Sequence, residues 1–177
     1  MKKIKNLLKT GFLAFAFAMS ATGLSSAQEA TQGEPLIERI DDWNYICPNA
    51  NNTTDCFAAF RVFVTETQQP LMELAFGAIT KADGTREVQG RVTLVDGILL
   101  KPGVVIALEN DLSRKLAFDI CARGQCVANF TLDQELLANM KSQNNGVIGF
   151  KARNGQTQQL PLSLKGFSAV MNKAFGL

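Results

Sequence analysis

Apolar and polar residues alternate along most of the chain beyond residue 40, in short runs punctuated by Gly, Pro, Asn and Asp. This is the signature of half-buried antiparallel strands. Trp43, Tyr45 and Cys47 share one parity against Asn44 and Ile46, a strand that carries the only Trp and the only Tyr and is expected to anchor a core. Arg86 to Val95 turns Val88, Gly90, Val92 and Leu94 one way and Glu87, Gln89, Arg91 and Thr93 the other. Leu71 to Ile79, Ile98 to Leu100 and Val104 to Leu108 are further runs, set off by Pro70, Asp83-Gly84, Asp96-Gly97 and Lys101-Pro102-Gly103. Leu116 to Phe130 reads as a hairpin in which Cys121 and Cys126 bracket a turn, Gly124 supplying the positive φ that a tight reversal needs. That pairing sets Ile120 opposite Val127 and Phe118 opposite Asn129, with Leu116, Phe118 and Ile120 expected on the buried face. Asn154-Gly155, between Val147–Lys151 and Thr157–Leu164, marks a last hairpin.

Two segments keep a helical period instead. Leu132, Leu136, Leu137 and Met140 follow a capping box at Thr131–Gln134, with Asn144-Asn145-Gly146 as the stop. Phe167, Val170, Met171, Ala174 and Phe175 form an apolar stripe expected to dock on a sheet. The pattern predicts a mainly β, sandwich-like single domain of short antiparallel strands with two helices.

Phe57 to Val64 breaks the alternation. Phe57, Ala59, Arg61 and Phe63 occupy one parity and Phe60, Val62 and Val64 the other, so one sheet face cannot hide both sets. The expected arrangement is a central strand covered on both sides, its second face under the C-terminal helix. The alternative makes Phe57, Arg61 and Phe63 a partner-contact patch.

Residues 1–27 read as a signal peptide: Lys2, Lys3, Lys5 and Lys9, then an apolar core from Phe12 to Met19, then Ser25-Ser26-Ala27 before Gln28. That core is too short to cross a bilayer, which takes about 20 residues. Residues 28–40 are expected to be a flexible arm and 41–177 the folded domain. Without its four leader lysines the chain has 14 basic against 16 acidic residues, so the basic character belongs to the leader. No basic tract or stripe is left, which argues against nucleic acid or an anionic membrane surface as partner.

Export makes Cys47, Cys56, Cys121 and Cys126 an oxidised set, for which three connectivities exist. Local pairing, Cys47 with Cys56 and Cys121 with Cys126, needs only short loops already rich in turn residues, each bridge worth about 2–3 kcal/mol in the chain-entropy model. The spacings fit no zinc finger, and the chain has no histidine. Ser-His-Asp and Cys-His sites are therefore unavailable, and no nucleophile elbow, P-loop or dinucleotide fingerprint occurs. Asp41 and Asp42, as neighbours on a strand, would point to opposite faces; Lys165 beside Gly166 reads as a solvated charge. No catalytic residue, cofactor or metal is expected.

Several blocks, taken in order, carry a resemblance. Asp42-Trp43 with Cys47, Cys56, Leu99-Leu100-Lys101-Pro102-Gly103-Val104, Cys121 with Gly124, Cys126, Val127 and Ala128, and Leu160-Pro161-Leu162-Ser163-Leu164-Lys165-Gly166-Phe167 together resemble the invasion-associated locus B family of exported alphaproteobacterial proteins. The similarity runs from Asp41 to the C-terminus; Phe57 departs from it, standing where the family usually has a polar residue. The resemblance implies a location in the periplasm, or peripherally on the outer membrane or surface, of a Gram-negative cell. It also implies a non-enzymatic part in entry into host cells such as erythrocytes, through a protein or host-surface partner. The alternative is a periplasmic accessory protein, an inhibitor, chaperone or ligand carrier, with an indirect role. A transmembrane barrel is not expected, because its strands need about 9–11 residues of unbroken lipid-facing alternation.

Overall fold

In the computed structural model, which describes residues 33–177, the alternating runs become two antiparallel sheets. The large sheet has seven strands: β1 (Leu36–Ile40), β2 (Trp43–Cys47), β3 (Phe57–Phe63), β4 (Pro70–Thr80), β5 (Arg86–Val95), β8 (Ile120–Ala122) and β9 (Gln125–Thr131), in the order β1-β2-β3-β4-β5-β9-β8. The small sheet has four: β6 (Val104–Leu108), β7 (Ser113–Leu116), β10 (Asn145–Lys151) and β11 (Thr157–Ser163), in the order β11-β10-β6-β7. The helices are α1 (Gln134–Ser142) and α2 (Phe167–Phe175). The predicted signal peptide and its cleavage point lie outside the described residues.

One core joins the layers. Trp43, Phe60, Leu74, Phe76 and Val92 from the large sheet meet Val104, Ile106, Ile148 and Leu162 from the small one, with Leu136 and Met140 of α1 and Phe167, Val170 and Met171 of α2. The predicted stripes of both helices are thus the faces they bury. Trp43 lies at the centre, its ring 5.1 Å from that of Phe167, 5.6 Å from Phe60 and 6.0 Å from Phe76. Its indole N–H donates to the Ser163 carbonyl at 3.0 Å, joining the first core strand to the end of β11. Around that bond the Ser163 hydroxyl donates to Asp42 at 2.6 Å, and Lys165 pairs with Asp41 at 3.7 Å. Gly166 is obligatory here, because its φ is +86° and an added Cβ would lie 2.4 Å from the Ile40 carbonyl oxygen.

Both disulfides are local, Cys47–Cys56 and Cys121–Cys126. The first is buried and ties the end of β2 to the start of β3; the second closes the β8–β9 hairpin at the sheet edge, with Cys121 exposed.

Five local expectations need correction. Residues 36–40 are not part of a flexible arm but an edge strand, paired along its length with β2. Its outward residues stay exposed, so the backbone ladder rather than burial holds it, and no hydrophobic pattern announces it. Asp41 and Asp42 form the β1–β2 turn, with Asp41 at φ +52°, instead of lying on a strand. The Leu116–Phe130 run is split between layers: Leu116 ends β7 in the small sheet, and Ile120 begins β8 with 60% of its surface exposed. Only the hairpin register holds, with Ile120 opposite Val127 and Cys121 opposite Cys126. The cap of α1 is Asp133, whose carboxylate accepts from the Leu136 N–H at 2.7 Å, while Thr131 still belongs to β9 and donates to Glu87. The helix ends at Ser142, and Asn145-Gly146 opens β10.

Two stability outcomes are expected. Phe167→Ala should lower the free energy of unfolding in chemical denaturation by about 3–5 kcal/mol, as for a buried aromatic in a packed core. Replacing Cys121 and Cys126 together by Ala should cost about 2 kcal/mol, and replacing Cys47 and Cys56 more, since that loop is longer and both sulfurs are packed.

Candidate interaction surface

The alternation that sends Phe60 and Phe76 inward sends their neighbours to the other side of the large sheet. Phe57, Ala59, Arg61 and Phe63 on β3 stand beside Leu71, Glu73, Ala75, Gly77 and Ile79 on β4, then Gln89, Arg91 and Thr93 on β5, and Val127 and Asn129 on β9. The expectation that α2 would cover this face is not met. Phe167 places α2 on Trp43 and Phe76, on the Phe60 side, because a single amphipathic helix can cover one sheet face only. Neither α1 nor α2 lies over the Phe57 side; the short turn at Thr53–Asp55 borders it. Phe57 is half-buried between its strand neighbours, and Phe63 is 46% exposed.

The register sets the geometry. Ile120, Val127, Thr93, Glu73 and Arg61 occupy one row across five strands. Arg61 Nε meets Glu73 Oε2 at 2.6 Å near the centre, both side chains about one-third exposed or less. One row along, Arg91 Nε donates to Asn129 Oδ1 at 3.0 Å, and the Asn129 amide side chain donates to Asp119 at 2.9 Å. Two shallow grooves flank this polar centre. One, of about 430 Å³, runs past Arg61, Phe63, Leu71, Val95 and Val127; the other, of about 360 Å³, runs past Phe57, Gly77, Ile79 and Gln89. Glu73 and Arg91 border both. Of the three residues expected to make a patch, Arg61 and Phe63 therefore share one groove and Phe57 lies in its neighbour.

At the far end of the face Glu87 accepts from Lys81 and from Thr131, and the Lys81 hydrogen bond holds its carboxyl below the usual carboxylate value. This contribution exists above the unfolded-state value and disappears as pH falls through the depressed one. The arrangement suits recognition: it sets Phe63 and Arg61, residue types enriched in protein interfaces, on one open face. Among the described residues no group of three or more Cys, Asp or Glu side chains is placed to hold a metal ion. Sequence reasoning missed Glu73, Leu71, Ile79 and Ile120. The strict alternation of β4 would have found the first three; Ile120 depended on knowing that its strand leaves the core.

A family model described as Invasion associated locus B (IalB) protein matches residues 43–174. Invasion protein B homologs from Brucella abortus strain 2308 and from Brucella abortus biovar 1 strain 9-941 are each 27% identical over 174 residues, 96% of this chain and 96% of theirs. The crystal structure of invasion associated protein b from Bartonella henselae has the same fold, with a TM-score of 0.64 at 19% identity, over 80% of this chain and 96% of that one.

The surface residues should matter little to stability. A double-mutant cycle over Arg61 and Glu73 should return a coupling of about 0.2–1 kcal/mol. Phe63→Ser should shift the unfolding free energy by no more than about 0.5 kcal/mol.

Proposed function

This chain belongs to the invasion associated locus B family, and from that premise we propose that it is an exported, non-enzymatic binding protein of the Gram-negative cell envelope. In this reading it contributes to entry into host cells such as erythrocytes by engaging a protein partner on the open face of the large sheet. The observation that carries the proposal is the Phe57–Arg61–Phe63 side of β3, which neither α1 nor α2 covers and on which Phe63 stands 46% exposed beside the Arg61–Glu73 pair. Supporting it are the predicted leader and the two disulfides, which suit an oxidising compartment. The blocks that carry the family likeness support it differently. Asp42, Trp43, Ser163 and Phe167 hydrogen-bond or pack together in one structural corner, with only the Asp42 carboxylate substantially open to solvent. Among the described residues no helix is long and apolar enough to cross a membrane; in this reading any attachment to the outer membrane is peripheral.

The second reading, a periplasmic accessory protein with an indirect role, draws on the same disulfides and on the grooves of the same face. Location separates the two. Protease added to intact cells should remove the protein if it works at the surface; survival until the outer membrane is opened would assign it to the periplasm. In either place, Phe63→Ser and Arg61→Ser should weaken capture of the partner from envelope or host-membrane extracts while leaving melting nearly unchanged. Capture unaffected by both changes would move the contact surface elsewhere.

A further inference from the structure

The outer face of the small sheet has a different character. Strand faces turned to water are normally polar, yet the adjoining positions Val105 and Ala107 on β6 and Val147 and Gly149 on β10 carry no polar side chain. With the edge of Phe150 they floor a groove of about 390 Å³. Its cations lie at one end. Lys115 sits opposite Val105 on β7, and Lys151 is the next outward residue after Gly149 on β10; both border the groove. Neither belongs to any of the seven ion pairs among the described residues. No strand contributes a carboxylate to this face. The nearest along β6 is Glu109, four residues beyond Val105 or about 13 Å at the rise of a strand, and it accepts from Asn145 at 3.0 Å.

We propose that this groove binds a single-chain anionic amphiphile, a fatty-acid carboxylate, with its headgroup between Lys115 and Lys151 and its acyl chain across the apolar floor. The charge asymmetry decides the sign of the headgroup and the end at which it sits. The lysine stems extend the apolar wall while their ammonium groups stay in water, ready for a carboxylate. The apolar floor is two strands wide, edged by Thr157 and Gln159 of β11, and along β10 the stretch from Val147 to Lys151 runs about 13 Å, the scale of a medium-length chain. The apolar groups floor a depression that starts at the lysines, and such a depression takes one chain where a bilayer surface would call for protruding groups. The site is separate from the face proposed for protein contact and stands or falls independently of it. No run of basic residues marks it in the sequence, because Lys115 and Lys151 come from strands far apart along the chain.

The test is titration of the purified protein with laurate below its micellar concentration, read by calorimetry and by amide chemical shifts. Lauryl maltoside, dodecyltrimethylammonium and phosphatidylglycerol vesicles serve as the comparison arms. The expected result is one laurate per chain, with shifts gathered at Val105, Lys115 and Gly149, and binding about ten-fold or more tighter than the neutral and cationic amphiphiles. Changing Lys115→Gln and Lys151→Gln together should remove that preference. Gly149→Leu should abolish binding by filling the floor. It should fold, since the nearest atom to an added Cβ there is 3.9 Å away. Equal affinity for the cationic amphiphile, laurate binding unchanged in Gly149→Leu, binding to vesicles but not to monomeric laurate, or no binding at all would each overturn the proposal.

Discussion

The bond from the Trp43 indole to the Ser163 carbonyl joins residues 120 positions apart and fastens the large sheet to the end of the small one. A buried indole N–H must find an acceptor or lose hydrogen-bond free energy of about 1–3 kcal/mol. That requirement fixes where β11 must end and where α2 must begin. Three residues of the blocks nearest the two ends of the folded region, Asp42, Trp43 and Ser163, meet around it through side-chain hydrogen bonds, and Phe167 packs against the ring. Trp43, Ser163 and Phe167 all fall within the stretch that matches the invasion associated locus B family, and in this fold they close the sandwich.

Closing the core this way spends both helices on the inner faces. Each sheet is left with an outer side that neither α-helix covers, and the two sides differ. On the large sheet Arg61 pairs with Glu73, Arg91 donates to the neutral amide of Asn129, and Phe63 and Ile120 stand exposed nearby. Charged and hydrogen-bonding groups of both signs, set among apolar ones, suit a folded protein partner with a complementary pattern of charge. On the small sheet the floor is apolar, and Lys115 and Lys151 face no acid. Unanswered charge beside an apolar strip suits a small anionic ligand instead. The same two-residue period produced both faces; the residues placed on the outward parity made them different.

The sequence revealed whatever depends on a local period. The limits of β5, the register of the disulfide hairpin, the buried stripe of α2 and the central place of Trp43 follow from alternation, turn chemistry and residue type. It did not reveal features settled by tertiary partners. The strand Leu36–Ile40 exists because β2 offers it a ladder, and the cap of α1 passed to Asp133 because β9 claimed Thr131. Phe57 was the hardest case. Its parity on β3 was plain, but whether a helix lay over it depended on which side of the sheet Phe167 chose. The patch was therefore legible as three residues, while Glu73, Arg91 and Ile120, which complete it, come from strands whose adjacency only the fold shows.

The central claim is that the open side of the large sheet touches a partner in the living cell, and site-specific photocrosslinking tests it most directly. A photoreactive residue at position 63 reports on that face; one at position 154, on the exposed turn between β10 and β11, reports on the opposite sheet. The account predicts a discrete, higher-mass adduct from position 63 on irradiation of intact cells in contact with host cells, and none from position 154. No adduct at position 63, or the same adducts at equal yield from both positions, would contradict it.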